Sequence, residues 1–179
     1  MQHFLPNGQS LEIRPAVRTD ASFMLAYYRK LNKETDFLLF TPRETENLDL
    51  ESEREFIDSY NRTDDLLLVA VSAGQLIGSV SVRQGNVWKQ GHIGQLGIGV
   101  LHEFWNMGIG RRLMTAAVRW VEQHREIEII SLNVFSTNER AIQLYRNFGF
   151  TEYGRMPQGV RQEDGSYGDT ILMSKRIKE

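Results

Sequence analysis

The feature that most constrains this fold is a change in hydrophobic period near Leu66. Upstream of it, apolar residues recur at helical spacing over residues 21–33 and again from a capping residue, Asp49, to Tyr60. Downstream, a nearly continuous apolar run over 66–72 meets the turn at 73–75, and a second run covers 76–84. The pattern predicts two helices followed by a β-hairpin, which differs from a regular β-α-β array.

The remaining segments complete a mixed α/β pattern. The apolar stripe of the first helix is assigned to Phe23, Ala26, Tyr27 and Leu31, and residues 36–47 are interpreted as a loop. The other predicted elements are strands over 11–17, 92–100, 127–135, 150–153 and 170–176, with helices over 109–124 and from Asn138 to a stop at Gly149. The order β-α-α-β-β-β-α-β-α-β-β predicts an α/β (α+β) fold with a mixed, mostly antiparallel sheet and helices on both faces.

Composition limits the class of protein. The 179 residues contain no internal repeat or linker-like stretch, so a single domain over 1–179 is expected. A formal charge of −2 gives no net positive face, and no nucleic-acid or membrane partner is expected. The polar first ten residues do not suggest a signal peptide, which predicts a cytoplasmic protein. The absence of cysteine excludes disulfides, thiolate metal sites and a cysteine nucleophile, and no metal site is predicted.

The segment Trp105-Asn106-Met107-Gly108-Ile109-Gly110-Arg111 lies between a predicted strand and a predicted helix. Its two glycines let the backbone turn tightly and approach a ligand without a Cβ atom in the way. The unpaired N–H groups of the first helical turn then suit a pyrophosphate, and Arg111 adds positive charge. Plain turn chemistry is the alternative that the motif alone leaves open. Leu113 stands where a dinucleotide fingerprint needs Gly or Ala.

A second motif reads Asn138-x-x-Ala141-x-x-Leu144-Tyr145-x-x-x-Gly149-Phe150. Asn138 is suited to cap a helix, and Tyr145 falls on the apolar stripe of that helix. On periodicity alone, the simpler interpretation is an amphipathic helix that carries Tyr145 in its core stripe.

Together, the run from Leu96 to Gly110 and the segment from Asn138 to Phe150 resemble the GNAT superfamily of acetyl-CoA-dependent N-acetyltransferases. The family order of elements matches the predicted order over nearly the whole chain. The resemblance implies a sheet splayed at the cofactor site and acetyl-CoA as co-substrate, with Tyr145 near its sulfur. The implied cofactor-binding residues are Ile98, Gly99, Val100, Trp105, Asn106, Met107, Gly108, Ile109, Gly110, Arg111 and Asn138.

Two positions depart from the family pattern. Trp105 occupies the place where the binding loop usually begins with Gln or Arg, although some members have an aromatic residue there. Gln95 replaces a common glutamate, and a glutamine cannot accept a proton as a base. The resemblance also places the segment after the first helix at the acceptor site, so Glu34 and Phe37 are expected to form an acceptor wall with Gln95.

The implied reaction is direct attack of a neutral amine on the thioester, without a covalent enzyme intermediate. A lysine-like amine with a pKa of ~10.4 costs about 4.6 kcal/mol to deprotonate at pH 7, whereas an α-amine at ~7.7–8.0 costs about 1 to 1.4 kcal/mol. Tyr145 is protonated at neutral pH and is predicted to act as general acid toward the leaving thiolate. The base stays open between a water chain and His92, His102, Glu34, Asp36 or Glu152.

The sequence therefore predicts acetyl transfer to a primary amine of a small molecule, a polyamine or a protein. The loops that would form the acceptor walls carry no motif, so the acceptor stays open, as does assembly into a homodimer. Because position 95 lacks a carboxylate, the alternative is a CoA-binding regulatory module with a degenerate catalytic site. The presence of Tyr145 argues for the enzyme.

Overall fold

The computed structural model describes residues 3–178. The helices are α1 (Ala21–Glu34), α2 (Pro42–Glu46), α3 (Leu50–Asn61), α4 (Ile109–Gln123) and α5 (Glu139–Asn147). The strands are β1 (His3–Phe4), β2 (Ser10–Pro15), β3 (Leu66–Ser72), β4 (Gln75–Gln84), β5 (Ile93–Val100), β6 (Ile129–Phe135), β7 (Thr151–Arg161) and β8 (Tyr167–Arg176). None of the helices in residues 3–178 combines the length and apolar character that crossing a bilayer requires.

Eight strands form one sheet in the order β1-β2-β3-β4-β5-β6-β8-β7. Every neighbouring pair is antiparallel except β5 and β6, which run parallel. Parallel neighbours need a crossover connection, and α4 supplies it between the end of β5 and the start of β6. The predicted mixed and mostly antiparallel sheet is confirmed.

Strands β5 and β6 pair at one end only. Their register runs from the Ile93–Ile129 pair to the Gln95–Ser131 pair and stops there. Beyond that point β5 stays paired with β4 as far as Val100, and β6 stays paired with β8 to its own end. The two strands therefore diverge into a wedge whose closed end is the Gln95–Ser131 pair, which confirms the predicted splay.

Helices cover both faces of this sheet, as predicted. A Cβ atom on Gly78 of β4 would lie 3.3 Å from Leu113 of α4, whereas the next residue, Ser79, hydrogen bonds the hydroxyl of Tyr27 of α1 at 3.2 Å. Successive residues of a strand point to opposite faces. Helices α4 and α5 thus pack on one face around the larger buried cluster, and α1 and α3 pack on the other around the smaller one.

The prediction of a loop over 36–47 is wrong at Pro42–Glu46, which form α2. Thr41 Oγ1 accepts the N–H of Glu44 at 3.3 Å, and Glu44 Oε2 accepts the N–H of Thr41 at 2.7 Å. This reciprocal capping box, with proline in the first helical position, offsets the cost of starting so short a helix. The capping box can be recognised in the sequence, because Glu44 follows Thr41 by three residues.

Two further predictions are corrected. Phe23 is 54% exposed and Ala26 is also exposed, so neither belongs to the buried stripe of α1, which contains Met24, Leu25, Tyr27 and Leu31. The closing strands β7 and β8 are both longer than predicted. Register irregularities between Glu152 and Val160 disturb the alternation of β7, so its sequence does not show a regular strand pattern.

Candidate active site

The connection from β5 to α4 turns through left-handed backbone. Asn106 has a φ of 63° and Gly108 a φ of 78°, a region that favours glycine. The first intrahelical hydrogen bond of α4 runs from the N–H of Arg112 to the carbonyl of Gly108 at 3.1 Å. The N–H groups of residues 109–111 therefore have no acceptor within the helix. They lie at the positive end of the α4 dipole, an arrangement suited to an anion.

Trp105 stabilises the connection between β5 and α4. Its Nε1–H donates to the carbonyl of Val100 at 2.8 Å, and the guanidinium of Arg140 lies 4.7 Å from the centroid of its ring. Arg140 also donates from Nη1 to Asn106 Oδ1 at 3.1 Å. Arg140 is not among the residues predicted for the site, and it brings a further positive charge to the turn from α5.

Helix α5 packs against the start of α4. Asn138 caps α5 as predicted, because its Oδ1 accepts the N–H of Ala141 at 3.1 Å. Leu144 reaches the first turn of α4, where its Cδ2 atom would lie 3.4 Å from a Cβ atom on Gly110. The two motifs that are separate in sequence are thus in contact in the structure.

Tyr145 lies on the buried face of α5. It is 6% exposed, it belongs to the larger core cluster, and its ring centroid is 6.0 Å from that of Phe150. Burial raises the pKa of its hydroxyl to about 12. The group is therefore a hydrogen-bond donor at every pH near neutrality.

A cavity of about 660 Å³ opens beside the closed end of the wedge. Its lining residues are Tyr60, Ser81, Arg83, Gln84, Gly85, Asn86, Gln90, Ile93, Gln95, Leu96 and Gly97. Gln95 is exposed, and its cross-strand partner is Arg83. Arg83 is the one formally charged residue in this lining, which contains no Asp, Glu or His.

The structure does not bring Glu34 and Phe37 to this lining. Glu34 Oε2 accepts the N–H of His102 at 2.8 Å, and its Oε1 lies 3.9 Å from Lys30 Nζ. Glu34 thereby joins the end of α1 to the β5–α4 connection. The acceptor wall expected from Glu34, Phe37 and Gln95 is not assembled around this cavity, where only Gln95 lies.

The other candidate bases also lie outside the lining. His92 lies immediately before β5, His102 packs against Trp105 with ring centroids 4.4 Å apart, and Glu152 is ion-paired on β7. Asp36 is exposed on the segment after α1. Within residues 3–178, no group of His, Asp and Glu side chains is arranged to hold a metal ion.

Comparison with known proteins decides the family. Residues 28–150 match the model of the acetyltransferase (GNAT) family. This chain belongs to the GNAT family. A curated relative, an L-amino acid N-acetyltransferase of Escherichia coli, is 26% identical over 108 residues, which are 60% of this chain and 66% of that protein. The alignment therefore spans just under two thirds of that relative's length.

Solved structures share the GNAT fold over almost their whole length. An acetyltransferase of the GNAT family from Streptococcus pneumoniae has a TM-score of 0.88 and 28% identity, covering 93% of this chain and 99% of that one. A putative acetyltransferase from Salmonella typhimurium, solved with acetyl-CoA, has a TM-score of 0.83 and 19% identity, covering 94% of this chain and 95% of that one. The latter likeness concerns the fold alone.

Proposed function

We propose that this GNAT protein transfers the acetyl group of acetyl-CoA to the primary amine of a small molecule or peptide. The observation that carries the proposal is the convergence of three features: the open first turn of α4, the β5–β6 wedge, and the cavity at the wedge's closed end. An acyl carrier in the wedge and an acceptor in the cavity would meet at Gln95. The name of the Escherichia coli relative and the acetyl-CoA in the Salmonella typhimurium structure support this direction.

The residues of the β5–α4 segment fit the cofactor. Open space surrounds Gly108 at the position of a Cβ atom, and the outward N–H groups of residues 109–111 suit a diphosphate. Arg111 is exposed beside them, and Arg140 adds charge from α5. Along the wedge, residues 98–100 of β5 have no partner in β6, so backbone groups there other than the Val100 carbonyl, which accepts the Trp105 N–H, can hydrogen bond the amide groups of the pantetheine arm. The cap of α5 uses the Oδ1 atom of Asn138, so its Nδ2 atom can donate to the same ligand.

The acetyl thioester supplies an activated acyl group when acetyl-CoA is bound. The amine nitrogen forms the new C–N bond as the C–S bond breaks, and the products are an N-acetyl amine and the CoA thiolate, which takes up a proton from water to give the thiol. The proton of the amine leaves to water, because the cavity holds no side-chain base. Tyr145 donates toward the departing sulfur. Since its pKa is about 12, its proton is held more tightly than that of a free tyrosine, so stabilisation by hydrogen bonding is its main contribution.

Amine-dependent release of the CoA thiol tests this proposal. The panel contains free amino acids, amino-acid amides, an alkylamine, a polyamine and a peptide, with mass spectrometry of each product. We expect thiol release that depends on the amine and is matched by an acetylated product. Because Gln95 cannot act as a base, one other candidate function is that of a CoA-binding regulatory module without catalysis. Calorimetric binding of acetyl-CoA with no turnover of any amine would favour that module.

A further inference from the structure

Arg83 lies next to the proposed meeting point of donor and acceptor. It is the residue opposite Gln95 in the antiparallel β4–β5 register, and both residues line the cavity. Directly opposed residues of antiparallel strands share a face and have Cβ atoms about 4.5–5.5 Å apart. A guanidinium is therefore fixed beside the closed end of the wedge.

The Arg83 side chain is held in one place without being buried. Its guanidinium carbon lies 4.0 Å from the centroid of the Tyr60 ring, and its Nη2 donates to Ser59 Oγ at 2.8 Å. Asp65 Oδ2 lies 3.8 Å from Nε, but the Asp65 carboxylate also accepts two other hydrogen bonds. The Arg83 side chain is 44% exposed, so donors that Ser59 does not use are open to a ligand. Because the contacts with Tyr60 and Ser59 already restrict this side chain, it loses less conformational entropy when it binds a ligand.

The cavity lining itself carries one formal charge, the positive charge of Arg83. The carboxylates that contact the lining are already engaged, Asp65 with Arg83 and with the N–H of Gln84, and Glu126 with Gln84 Nε2, whereas Arg83 offers the paired donors that match a carboxylate. We propose that Arg83 binds the carboxylate of the acceptor while Gln95 orients its amine. The acceptor is then a free α-amino acid, in which carboxylate and amine lie few bonds apart. This inference rests on the proposed acetyl transfer and names its substrate class.

The first test needs no variant. The wild-type protein should acetylate a free amino acid with a kcat/KM, expressed per concentration of unprotonated amine, about 10- to 100-fold higher than that of its amide, because the amide lacks the anion that makes a charge-assisted hydrogen bond. A polyamine should be a poor acceptor. Equal values for acid and amide, or a preference for the polyamine, would overturn this inference and leave acetyl transfer standing. Turnover of no amine at all would overturn the proposed function and this inference with it.

The second test concerns the residue itself. In Arg83→Gln, the KM for the amino acid should rise about tenfold or more, and the acid-to-amide ratio of kcat/KM should fall toward one. Arg83→Lys keeps the charge but not the paired donors, so it should retain part of the preference. Arg54→Gln removes an arginine from α3 that pairs with Glu51 outside the cavity, and it should keep the wild-type ratio.

Thermal melting of each variant separates a lost contact from a lost fold, since Arg83 also contacts Tyr60 and Ser59. An unchanged ratio in a folded Arg83→Gln protein would overturn the assignment. If that variant does not fold, the Arg83→Lys ratio decides: a ratio equal to that of the wild type would overturn it, and a reduced ratio would support it.

Discussion

The indole nitrogen of Trp105 donates a hydrogen bond of 2.8 Å to the carbonyl of Val100. This bond ties the last residue of β5 to the loop that precedes α4. Glu34 fixes the same connection from α1 by accepting the N–H of His102 at 2.8 Å. In the proposed function, the edge of the wedge and the first turn of α4 bind parts of one long ligand, and these two contacts set their relative position.

Gly108 and Gly110 should respond differently to the same added methyl group. Gly108 has a φ of 78°, where an alanine costs about 1–2 kcal/mol, so Gly108→Ala should weaken acetyl-CoA binding by about tenfold. A Cβ atom on Gly110 would make an ordinary 3.4 Å contact with the flexible end of Leu144, so Gly110→Ala should bind within about twofold of wild type. Calorimetry on the two variants checks the difference, and equal losses would contradict the assigned roles.

Tyr145→Phe removes only the hydroxyl. Burial raises the pKa of that hydroxyl, with no hydrogen bond from another described residue contributing, so folding and acetyl-CoA affinity should change little. Turnover should fall by ~10²–10³-fold, because the variant loses the hydrogen bond that stabilises the departing sulfur. Because a pKa near 12 lies above the working range, the wild-type pH–rate profile should show no tyrosine titration between pH 6 and 9.

Single-turnover kinetics measures the chemical step of this variant directly, and a thermal melt tests its fold. A rate of chemistry equal to that of the wild type would return Tyr145 to a packing role in the core.

Glu53 should make stability depend on pH. It is 4% exposed on α3, its Oε1 has no hydrogen-bond partner among the described residues, and burial raises the pKa of the carboxyl to about 7. The folded protein then binds this proton more tightly than the unfolded chain, whose glutamate has a pKa of about 4.3. The group therefore favours folding at low pH, and that contribution is lost as the pH rises through 7.

In the wild type, ionisation of Glu53 should lower the free energy of unfolding by up to about 3 kcal/mol between pH 4.5 and pH 8. The Glu53→Gln variant should not show this part of the decrease. Urea unfolding at both pH values measures it. Glu55→Gln is the matched control, because Glu55 is exposed on the same helix and pairs with Arg62. Equal pH dependence in the wild-type and Glu53→Gln proteins would contradict a titrating buried carboxyl.

The parts of the site that the sequence predicts are local ones. The turn at Gly108, the Asn138 cap and the apolar runs of β3 and β4 each depend on residues close together in the chain. Contacts between distant segments could not be predicted in this way. Glu34 binds the backbone of a residue 68 positions away, and Arg83 meets Gln95 only through the β4–β5 register.

Burial of a charged residue is equally hard to predict from one sequence. Glu53, Ile57 and Tyr60 lie at helical spacing on one face of α3, but a glutamate in such a stripe usually lies at its solvated margin. Whether the edge of the stripe that carries Glu53 is buried depends on how α1 packs against α3. Arg140 likewise gains its place at the β5–α4 turn from the packing of α5.

Gln95→Glu separates the chemistry of position 95 from a structural role. If Gln95 pointed into the sheet, a charge there would lower the melting temperature. The side chain is exposed in the cavity, so the variant should melt as the wild type does. Gln90→Glu adds the same charge elsewhere in the lining and serves as the control.

The activity of Gln95→Glu should depend on the acceptor. A glutamate opposite Arg83 would pair with its guanidinium and compete with the acceptor's carboxylate, so kcat/KM for a free amino acid should fall about tenfold. For an alkylamine without a carboxylate, the new base should raise kcat/KM, because its deprotonation at pH 7 costs about 4.6 kcal/mol. The rate of the wild type should rise with pH only as the acceptor amine loses its proton. The rate of the variant should show a second rise below neutral pH, where the new glutamate loses its proton. Changes of the same sign for both acceptors would contradict the pairing of positions 83 and 95, and an unaltered profile with a lower melting temperature would assign Gln95 a structural role.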